Sequence, residues 1–305
     1  MSLRVEMLQV ARAAQRVLGE SSEIIADFAA GQWNADGGTR DRAGASDLYY
    51  TVFGLEAALA LGQPIPATVA GYLRGFGTGE DLSFVHRGCL ARTWSVLGGI
   101  DPAVRAALVA SISPHRAKDG GYALWPGENV GSAYGAYLAI AALQDLGEPL
   151  PDGNVIAASL ATTRAADAGW ANQAIGPVTL VPQGTTPATV AAVLALHACG
   201  MQADDACAQW LLARQHQSGG FLAHPSAPLP DLLSTATALH ALACLEVVLP
   251  PERVELALDF VDTLWTNAGA FHGHWADEAI DIEYTYYGLL ALGHLALMQP
   301  AEAVR

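Results

Sequence analysis

The sequence has few charged residues, and basic residues are the scarcest. Only 15% of its 305 residues are charged, with 15 Lys and Arg against 30 Asp and Glu, which gives a net charge of −15 at pH 7. Such a chain repels phosphate backbones and anionic lipid over most of its surface. We therefore expect no nucleic-acid partner. The hydrophobic fraction of 52% excludes a disordered chain and predicts a large buried core.

Long uninterrupted apolar runs are also missing. The apolar stretches end before they reach the ~20 residues that a membrane span needs. The residues that interrupt them are Glu56, Gln144, His197, His240 and Glu246. The N-terminus, which begins Met1-Ser2-Leu3-Arg4, shows no secretory signal pattern. These absences predict a protein without a membrane span, and we expect a cytoplasmic location.

Cysteines are few and lie far apart. Cys89, Cys199, Cys207 and Cys244 form no C-x-x-C pair, which argues against a disulfide framework and against a cysteine-rich zinc site. Scattered cysteines are typically small buried hydrophobes. Alternation of apolar and polar residues at strand length is nearly absent too, so the chain is predicted to be all-α.

A repeat with glycine-bearing turns runs through the chain. The turns begin at Asp36, Asp119, Asp167, Ser218 and Asn267, and four of the five lead into an aromatic residue. Apolar, helix-like segments follow at 50–61, 88–97, 132–146, 189–198, 235–245 and 285–297, of which the second lacks the turn. Amphipathic segments precede them at 24–30, 67–76, 102–112, 155–162, 203–214 and 251–265. The repeat region, about 22–297, therefore predicts six helical hairpins after a short helix at 3–18.

The two helices of each predicted hairpin differ in character. The second is apolar almost all round, as a helix buried on every side must be, whereas the first carries charges such as Arg74, Arg105 and Asp262. This contrast predicts an inner and an outer layer. An open solenoid tends to have polar units at both ends, and the sequence shows none. We predict a single domain, residues 1–305, that closes into an α/α toroid (an α6–α6 barrel) with a central cavity.

The inner helices share a spaced signature. An acid or hydroxyl residue is followed four residues later by a small or hydroxyl residue and three later by Gly or Ala, as in Asp47, Thr51 and Gly54. These offsets keep the positions on one helical stripe. A stripe of small residues lets helices approach closely or lets a helix face a cavity, and the sequence leaves both interpretations open.

The glycine-bearing turns, together with the inner helices that begin at 47–55 and 281–289, resemble the repeats of protein prenyltransferase β subunits and of squalene and terpene cyclases. The likeness runs from Gln32 to Leu297. It implies a toroid with an aromatic-lined pocket for an isoprenoid-like apolar small molecule, open at the end where the inner helices begin. The β subunits of that family work beside a helical partner subunit, but no residue identifies such a partner here.

Residues that carry the chemistry of the resembling enzymes are largely replaced. Asp231 matches their zinc-binding Asp, but Leu233 and Tyr284 stand where the Cys and His would be, so zinc is not expected. Pro225, Pro228 and Val130 stand in place of the Arg, Lys and His that bind diphosphate. The Asp-x-Asp-Asp acid of the cyclases is absent as well. Whether the chain is an enzyme stays open; if it is, the resemblance implies prenyl transfer or terpene cyclisation.

Three aspartates precede inner helices and would meet at one rim of a closed ring. Asp231, Asp281 and Asp47 are therefore the candidate catalytic residues, and Glu283 could join them. Clustered carboxylates raise one another's pKa and bind hard cations such as Mg²⁺, so they could serve as a general acid or as metal ligands. The alternative is that each aspartate caps its helix.

Aromatic residues concentrate in the first halves of the inner helices, near the expected opening. A toroid encloses a hole that side chains or a ligand must fill, so we predict ligand contacts, with ring faces that can stabilise carbocations; the alternative is ordinary core packing. We also predict that two arginines bind an anionic head group of the ligand and that one histidine serves as an acid–base group. The predicted ligand-binding residues are Tyr50, Phe53, Trp94, Tyr134, Tyr137, His240, Tyr284, Tyr287, Arg42 and Arg92. For the arginines, the alternative is local ion pairing with Asp41, Asp47, Glu80 and Asp81.

The sequence thus favours a divergent prenyltransferase-like toroid that binds an apolar ligand in its lumen. The alternative, from a different functional class, is a non-catalytic ring that presents its loops to another protein. Its signs would be a lumen filled by the protein's own side chains and a large exposed apolar patch outside.

Overall fold

The computed structural model describes residues 1–171 and 183–299. Six inner helices alternate with six outer ones along the chain. The inner helices are α4 (Leu48–Leu61), α6 (Phe84–Leu97), α8 (Ala133–Asp145), α10 (Thr186–Ala198), α12 (Leu232–Cys244) and α14 (Ile282–Met298). The outer helices are α3 (Ser21–Ala30), α5 (Val69–Arg74), α7 (Pro102–Ile112), α9 (Gly153–Thr162), α11 (Asp205–Leu212) and α13 (Pro251–Asp262). Each predicted helical segment overlaps one of these helices.

Short elements complete the description. The chain begins with α1 (Leu3–Ala13) and α2 (Gln15–Leu18), and a 3₁₀ turn at Ser113–His115 follows α7. Small antiparallel ribbons pair β1 (Thr39–Arg40) with β2 (Ser46–Asp47), β3 (Phe221–Leu222) with β4 (Pro230–Asp231), and β5 (Trp265–Thr266) with β6 (Ala270–Phe271). The predicted all-α class is confirmed, because these strands are only two residues long.

The inner helices form a closed ring. Each packs on the next in the order α4, α6, α8, α10, α12 and α14, and α14 packs back on α4. Arg42, in the loop between β1 and β2, reinforces this closure because its Nε lies 2.7 Å from Asp281 Oδ2 and its Nη2 lies 2.8 Å from Asp277 Oδ2. The predicted α/α toroid is therefore confirmed. Among the described helices, none is both long and apolar enough to cross a membrane.

Burial separates the two layers as the sequence predicted. Ten of the 13 residues of α10 are buried, whereas only four of the 12 residues of α13 are. A helix enclosed on all sides must be apolar all round, and a helix with one wet face needs only an apolar stripe. The high hydrophobic content of the chain therefore lies mainly in the inner layer.

In five of the six inner helices the stripe of small residues faces the turn that precedes the helix, and there it serves neither of the two purposes considered above. In α6, which lacks such a turn, Gly88 faces the cavity. Thr235 Oγ1 accepts a hydrogen bond from Phe221 N at 2.9 Å and donates one to the Asp231 carbonyl oxygen at 2.7 Å. The hydroxyls of Thr51 and Thr189 likewise accept from Thr39 N and Trp170 N. A Cβ added to Gly288 would collide with the Phe271 ring. The small residues therefore let the turn pack closely against the helix and hydrogen bond to it.

Helix α1 lies across the end of the ring where the inner helices finish, which we call the base. It packs on α14, α4 and α8. Arg12 Nε donates to the Leu59 carbonyl oxygen at 3.3 Å, and Leu3 N donates to Gln144 Oε1 at 3.0 Å. After α1, Gln15 Nε2 donates to the Ala60 carbonyl oxygen at 2.9 Å. The bonds from Arg12 and Gln15 satisfy carbonyl groups at the end of α4, which have no partner within that helix. The opposite end, where the inner helices begin, is called the mouth.

Close packing of α1 on α14 depends on Gly293. A Cβ added there would collide with the Val10 carbonyl oxygen. We expect Gly293→Ala to lower the free energy of unfolding by about 1–3 kcal/mol, because overpacking outweighs the better helix propensity of Ala. Urea denaturation measures this change. Gly71→Ala on α5, where the added methyl meets open space, is the matched control and should raise stability slightly. Equal effects of the two variants would contradict the close packing.

Candidate functional site

The lumen contains a cavity of about 160 Å³ that runs from the mouth to the base. Tyr49, Val85 and Tyr134, all in the first turns of inner helices, line it near the mouth. Arg4 of α1 and Asp145, the last residue of α8, line it near the base. Helices α4, α6, α8 and α14 therefore form the walls, and α1 forms the floor.

Aromatic rings form much of the wall. The ring centroid of Phe53 lies 5.0 Å from that of Tyr49, 5.9 Å from that of Tyr286 and 5.5 Å from that of Tyr287. The Tyr49 hydroxyl donates a hydrogen bond to Glu283 Oε1 at 2.6 Å. Such edge-to-face and tilted contacts are the favoured geometries of aromatic pairs. The wall is thus apolar towards the cavity, and the hydroxyl of Tyr49 is satisfied at its rim.

Two arginines and two carboxylates meet at the floor. Arg92 Nε lies 3.1 Å from Asp145 Oδ2, and Arg4 Nε lies 3.6 Å from Asp145 Oδ1. Arg4 Nη1 lies 3.7 Å from Glu56 Oε1. Asp145 and Glu56 are both nearly inaccessible to solvent, with 3% of each side chain exposed. The floor is therefore a polar cluster with no net charge when all four groups are ionised.

Glu56 is the unusual member of this cluster. Neither of its carboxylate oxygens has a hydrogen-bond partner among the described residues. Burial raises the pKa of Glu56 to about 7, with Asp145 adding to the rise and with Arg92 and Arg4 opposing it. At neutral pH, Glu56 is therefore divided between its acid and its carboxylate. A general acid or base works best when its pKa lies near the working pH.

All three rim aspartates cap helices. Asp47 Oδ1 accepts from Tyr50 N at 3.0 Å, and Asp281 Oδ1 accepts from Tyr284 N at 2.8 Å. Asp231 accepts from Ser234, both from its N at 2.7 Å and from its Oγ at 2.8 Å. The capping interpretation is therefore observed in the structure, and these aspartates stand outside the cavity lining. Their role as acids or metal ligands stays a prediction.

Half of the predicted ligand-binding residues line the cavity. These are Phe53, Tyr134, Tyr137, Tyr287 and Arg92, whereas Tyr50, Trp94, His240, Tyr284 and Arg42 lie outside the lining. The lining also includes Tyr49, Glu56, Tyr286, Asp145 and Arg4, which were not on the predicted list.

Three of the residues outside the lining have other surroundings. The Arg42 guanidinium lies 5.5 Å from the centroid of the Tyr284 ring. His240 Nδ1 lies 3.0 Å from His294 Nε2, and burial lowers the pKa of His240 to about 4. The alternative expectation for the two arginines, that they pair with Asp41, Asp47, Glu80 and Asp81, is wrong. Arg42 forms ion pairs with Asp277 and Asp281, and Arg92 forms one with Asp145.

Ring closure and layering define the class of fold, the α/α toroid. Residues 187–303 of this particular chain match the family model of the prenyltransferase alpha-alpha toroid domain. A search of curated protein sequences gave no match. The resemblance expected from the turns and inner helices is confirmed, at low sequence identity.

Solved structures share the fold over nearly the whole chain. A type II terpene cyclase from Scytonema, in complex with its substrate geranylgeranyl dihydroxybenzoate, is 15% identical with a TM-score of 0.62, covering 94% of this chain and 99% of that chain. Protein geranylgeranyltransferase-I of Candida albicans, complexed with GGPP, is 13% identical with a TM-score of 0.50, covering 96% and 84%. A protein from Actinoplanes is 17% identical with a TM-score of 0.57, covering 90% and 98%. These likenesses show the fold alone.

Proposed function

We propose that the chain binds a short isoprenoid-like ligand in the lumen cavity, with Glu56 as the acid–base group that faces the polar end of the ligand. The observation that carries this proposal is the aromatic-lined cavity with a buried carboxyl group near its floor whose oxygens accept no hydrogen bond from the described residues. Solved toroids that hold geranylgeranyl compounds support an apolar ligand. The protein's own side chains leave a cavity in the lumen. This favours ligand binding over the alternative of a non-catalytic ring, for which we expected a filled lumen.

Cavity size limits the ligand. Apolar cavities of about 150 Å³ accept one benzene-sized molecule. The lumen, at about 160 Å³, therefore accommodates roughly one five-carbon isoprene unit without rearrangement. A longer chain would have to displace Phe53 or the tyrosines that surround it. We therefore propose a shorter ligand than the geranylgeranyl compounds of the structural neighbours.

Charge at the floor favours an uncharged polar head group. Asp145 and ionised Glu56 balance Arg4 and Arg92, and when Glu56 is protonated the cluster has only one excess positive charge, which is too little for a diphosphate. A neutral Glu56 can donate a proton to a hydroxyl or carbonyl oxygen, and its carboxylate can take one back. An acid with a pKa of about 7 is too weak to protonate a carbon–carbon double bond. Within the proposal, Glu56 therefore acts on the head group, and the rim aspartates keep a secondary role at the mouth.

A ligand series tests this proposal through thermal unfolding. The ligands are compared at one concentration, 100 times the Kd of 3-methylbut-2-en-1-ol. There we expect 3-methylbut-2-en-1-ol to raise the melting temperature by about 5 °C, because binding to the folded state alone adds about 2.7 kcal/mol, and we expect geraniol, with its second isoprene unit, to raise it less. Geranylgeraniol and geranyl diphosphate should have smaller effects. A larger effect from the diphosphate would contradict the uncharged head group. No shift with any member of the series would contradict a lumen ligand of this class.

A further inference from the structure

Three side chains of metal-binding type meet at the base, away from the cavity lining. They are Glu6 of α1, His197 in the last turn of α10 and Cys244 at the end of α12, and one ligand atom of each lies within 4.8 Å of the other two. We propose that these residues form a zinc site that fastens α1 to the ring. The proposal does not depend on the lumen ligand.

Geometry and donor type fit Zn²⁺. Tetrahedral zinc with bonds of about 2.0–2.3 Å holds its ligand atoms roughly 3.3–3.8 Å apart. His197 Nε2 and Glu6 Oε2 already lie 3.1 Å apart, and the Cys244 sulfur lies within 4.8 Å of both, which exceeds the zinc-bound spacing by about 1 Å at most. Sulfur and imidazole donors select zinc over Mg²⁺ and Ca²⁺. Three protein ligands leave the fourth position to water.

The site is open to solvent on one side. The side chains of His197 and Glu6 are 35% and 21% exposed, so an ion can enter without local unfolding. The sequence argued against zinc from the missing Cys and His at the mouth and from the scattered cysteines. Those arguments do not apply to the base, because residues 6, 197 and 244 are distant in sequence and come together only when three helices pack.

A second observation supports the site. His240 lies one helical turn before Cys244 on α12 and is buried, and its Nε2 has no hydrogen-bond partner among the described residues. Metal ligands are typically supported by a further shell of polar groups that hydrogen bond to them or to the bound water. His240 is placed to belong to such a shell.

Zinc at this site would also fix the position of the cavity floor, because α1 forms that floor. Glu6 follows Arg4 by two residues on the same helix, and Arg4 contributes to the cavity floor through Glu56 and Asp145. A metal that links Glu6 to α10 and α12 therefore holds the floor in place as well.

The site can be tested by isothermal titration calorimetry, in which ZnCl₂ is added to the full chain after treatment with a chelator. We expect one ion per chain, and about 100-fold weaker binding in Cys244→Ser. Cys199→Ser is the matched control, since Cys199 is also partly buried and follows His197 by only two residues. It should bind zinc like the unchanged chain. Cobalt in place of zinc should give a thiolate-to-cobalt absorption band that Cys244→Ser lacks and Cys199→Ser keeps. Equal zinc affinity in both variants, or no such band, would overturn the site.

Hydrogen exchange tests the fastening. Zinc should slow exchange of backbone amides in residues 3–13 of the unchanged chain by at least tenfold and leave Cys244→Ser unaffected. If zinc binds with the thiolate band but exchange in α1 is unchanged, the ion does not fasten α1, and that part of the proposal is overturned.

Discussion

Glu56→Gln is expected to stabilise the protein at pH 8 and to leave its stability unchanged at pH 4.5. The pKa of Glu56 is about 7 in the folded protein and 4.5 in its ordinary state, and burial is the main cause. Each pKa unit corresponds to about 1.4 kcal/mol, so ionised Glu56 costs the folded state about 3 kcal/mol. A glutamine removes that cost.

The direction of the pH dependence follows from proton binding. Between pH 4.5 and 7, the folded protein keeps the proton of Glu56 while the unfolded chain has lost it. Stability from this group is therefore complete below pH 4.5 and is lost as the pH rises through 7. The difference between the Gln variant and the unchanged chain isolates this contribution, because all other carboxylates are common to both.

Urea denaturation at pH 4.5, 6 and 8 measures this difference. Glu255→Gln on α13 is the matched control, since Glu255 is exposed, and its difference should stay small at each pH. A Gln variant that is less stable than the unchanged chain at pH 8 would show that attraction to Arg4 and Arg92 exceeds the desolvation cost.

Gly88→Leu is expected to abolish ligand binding in the lumen. Gly88 lies on α6 in the cavity lining, and a Cβ added there meets open space within 4 Å. A leucine side chain there starts in open space and is expected to occupy part of the cavity volume that the ligand needs. We expect affinity for 3-methylbut-2-en-1-ol to fall by at least 100-fold, measured by calorimetry.

The same variant should also be more stable without ligand. Replacing a helical glycine raises the free energy of unfolding by about 1 kcal/mol, and burying the leucine side chain raises it by about 1.5–3 kcal/mol more. Gly71→Leu, at an exposed helical position with open space around it, contributes only the first effect and should bind ligand normally. Unchanged binding in Gly88→Leu would place the ligand outside the cavity.

The fold was predictable because its signals are local. Asp101 and Pro102 mark the start of α7, and the predicted bounds of 102–112 agree with the structure. The two layers followed from inner helices that are apolar all round, and ring closure followed from the lack of polar terminal units; neither needs knowledge of distant contacts. The role of the small-residue stripe was not predictable, because it depends on the turn that each helix contacts.

The site was predictable only in part, for a related reason. Phe53, Tyr134 and Tyr287 were identified from their place in the first halves of inner helices, which fixes their height in the ring. The floor depends on α1, and Arg4 reaches Asp145 across 141 positions of sequence. No spacing rule predicts such a contact. Glu56 did leave a signal, as the single carboxylate within an otherwise apolar inner helix.

Closure of the ring has a consequence for how the protein is made. The face of α4 that contacts α14 stays uncovered until residues 282–298 have been synthesised, and α1, which is synthesised well before α14, must wait for it as well. Contacts between such distant segments form late in folding. An unfinished chain therefore exposes apolar inner surface throughout synthesis, and exposed surface of this kind promotes aggregation. Removal of the last hairpin would leave a permanently open arc rather than a smaller ring.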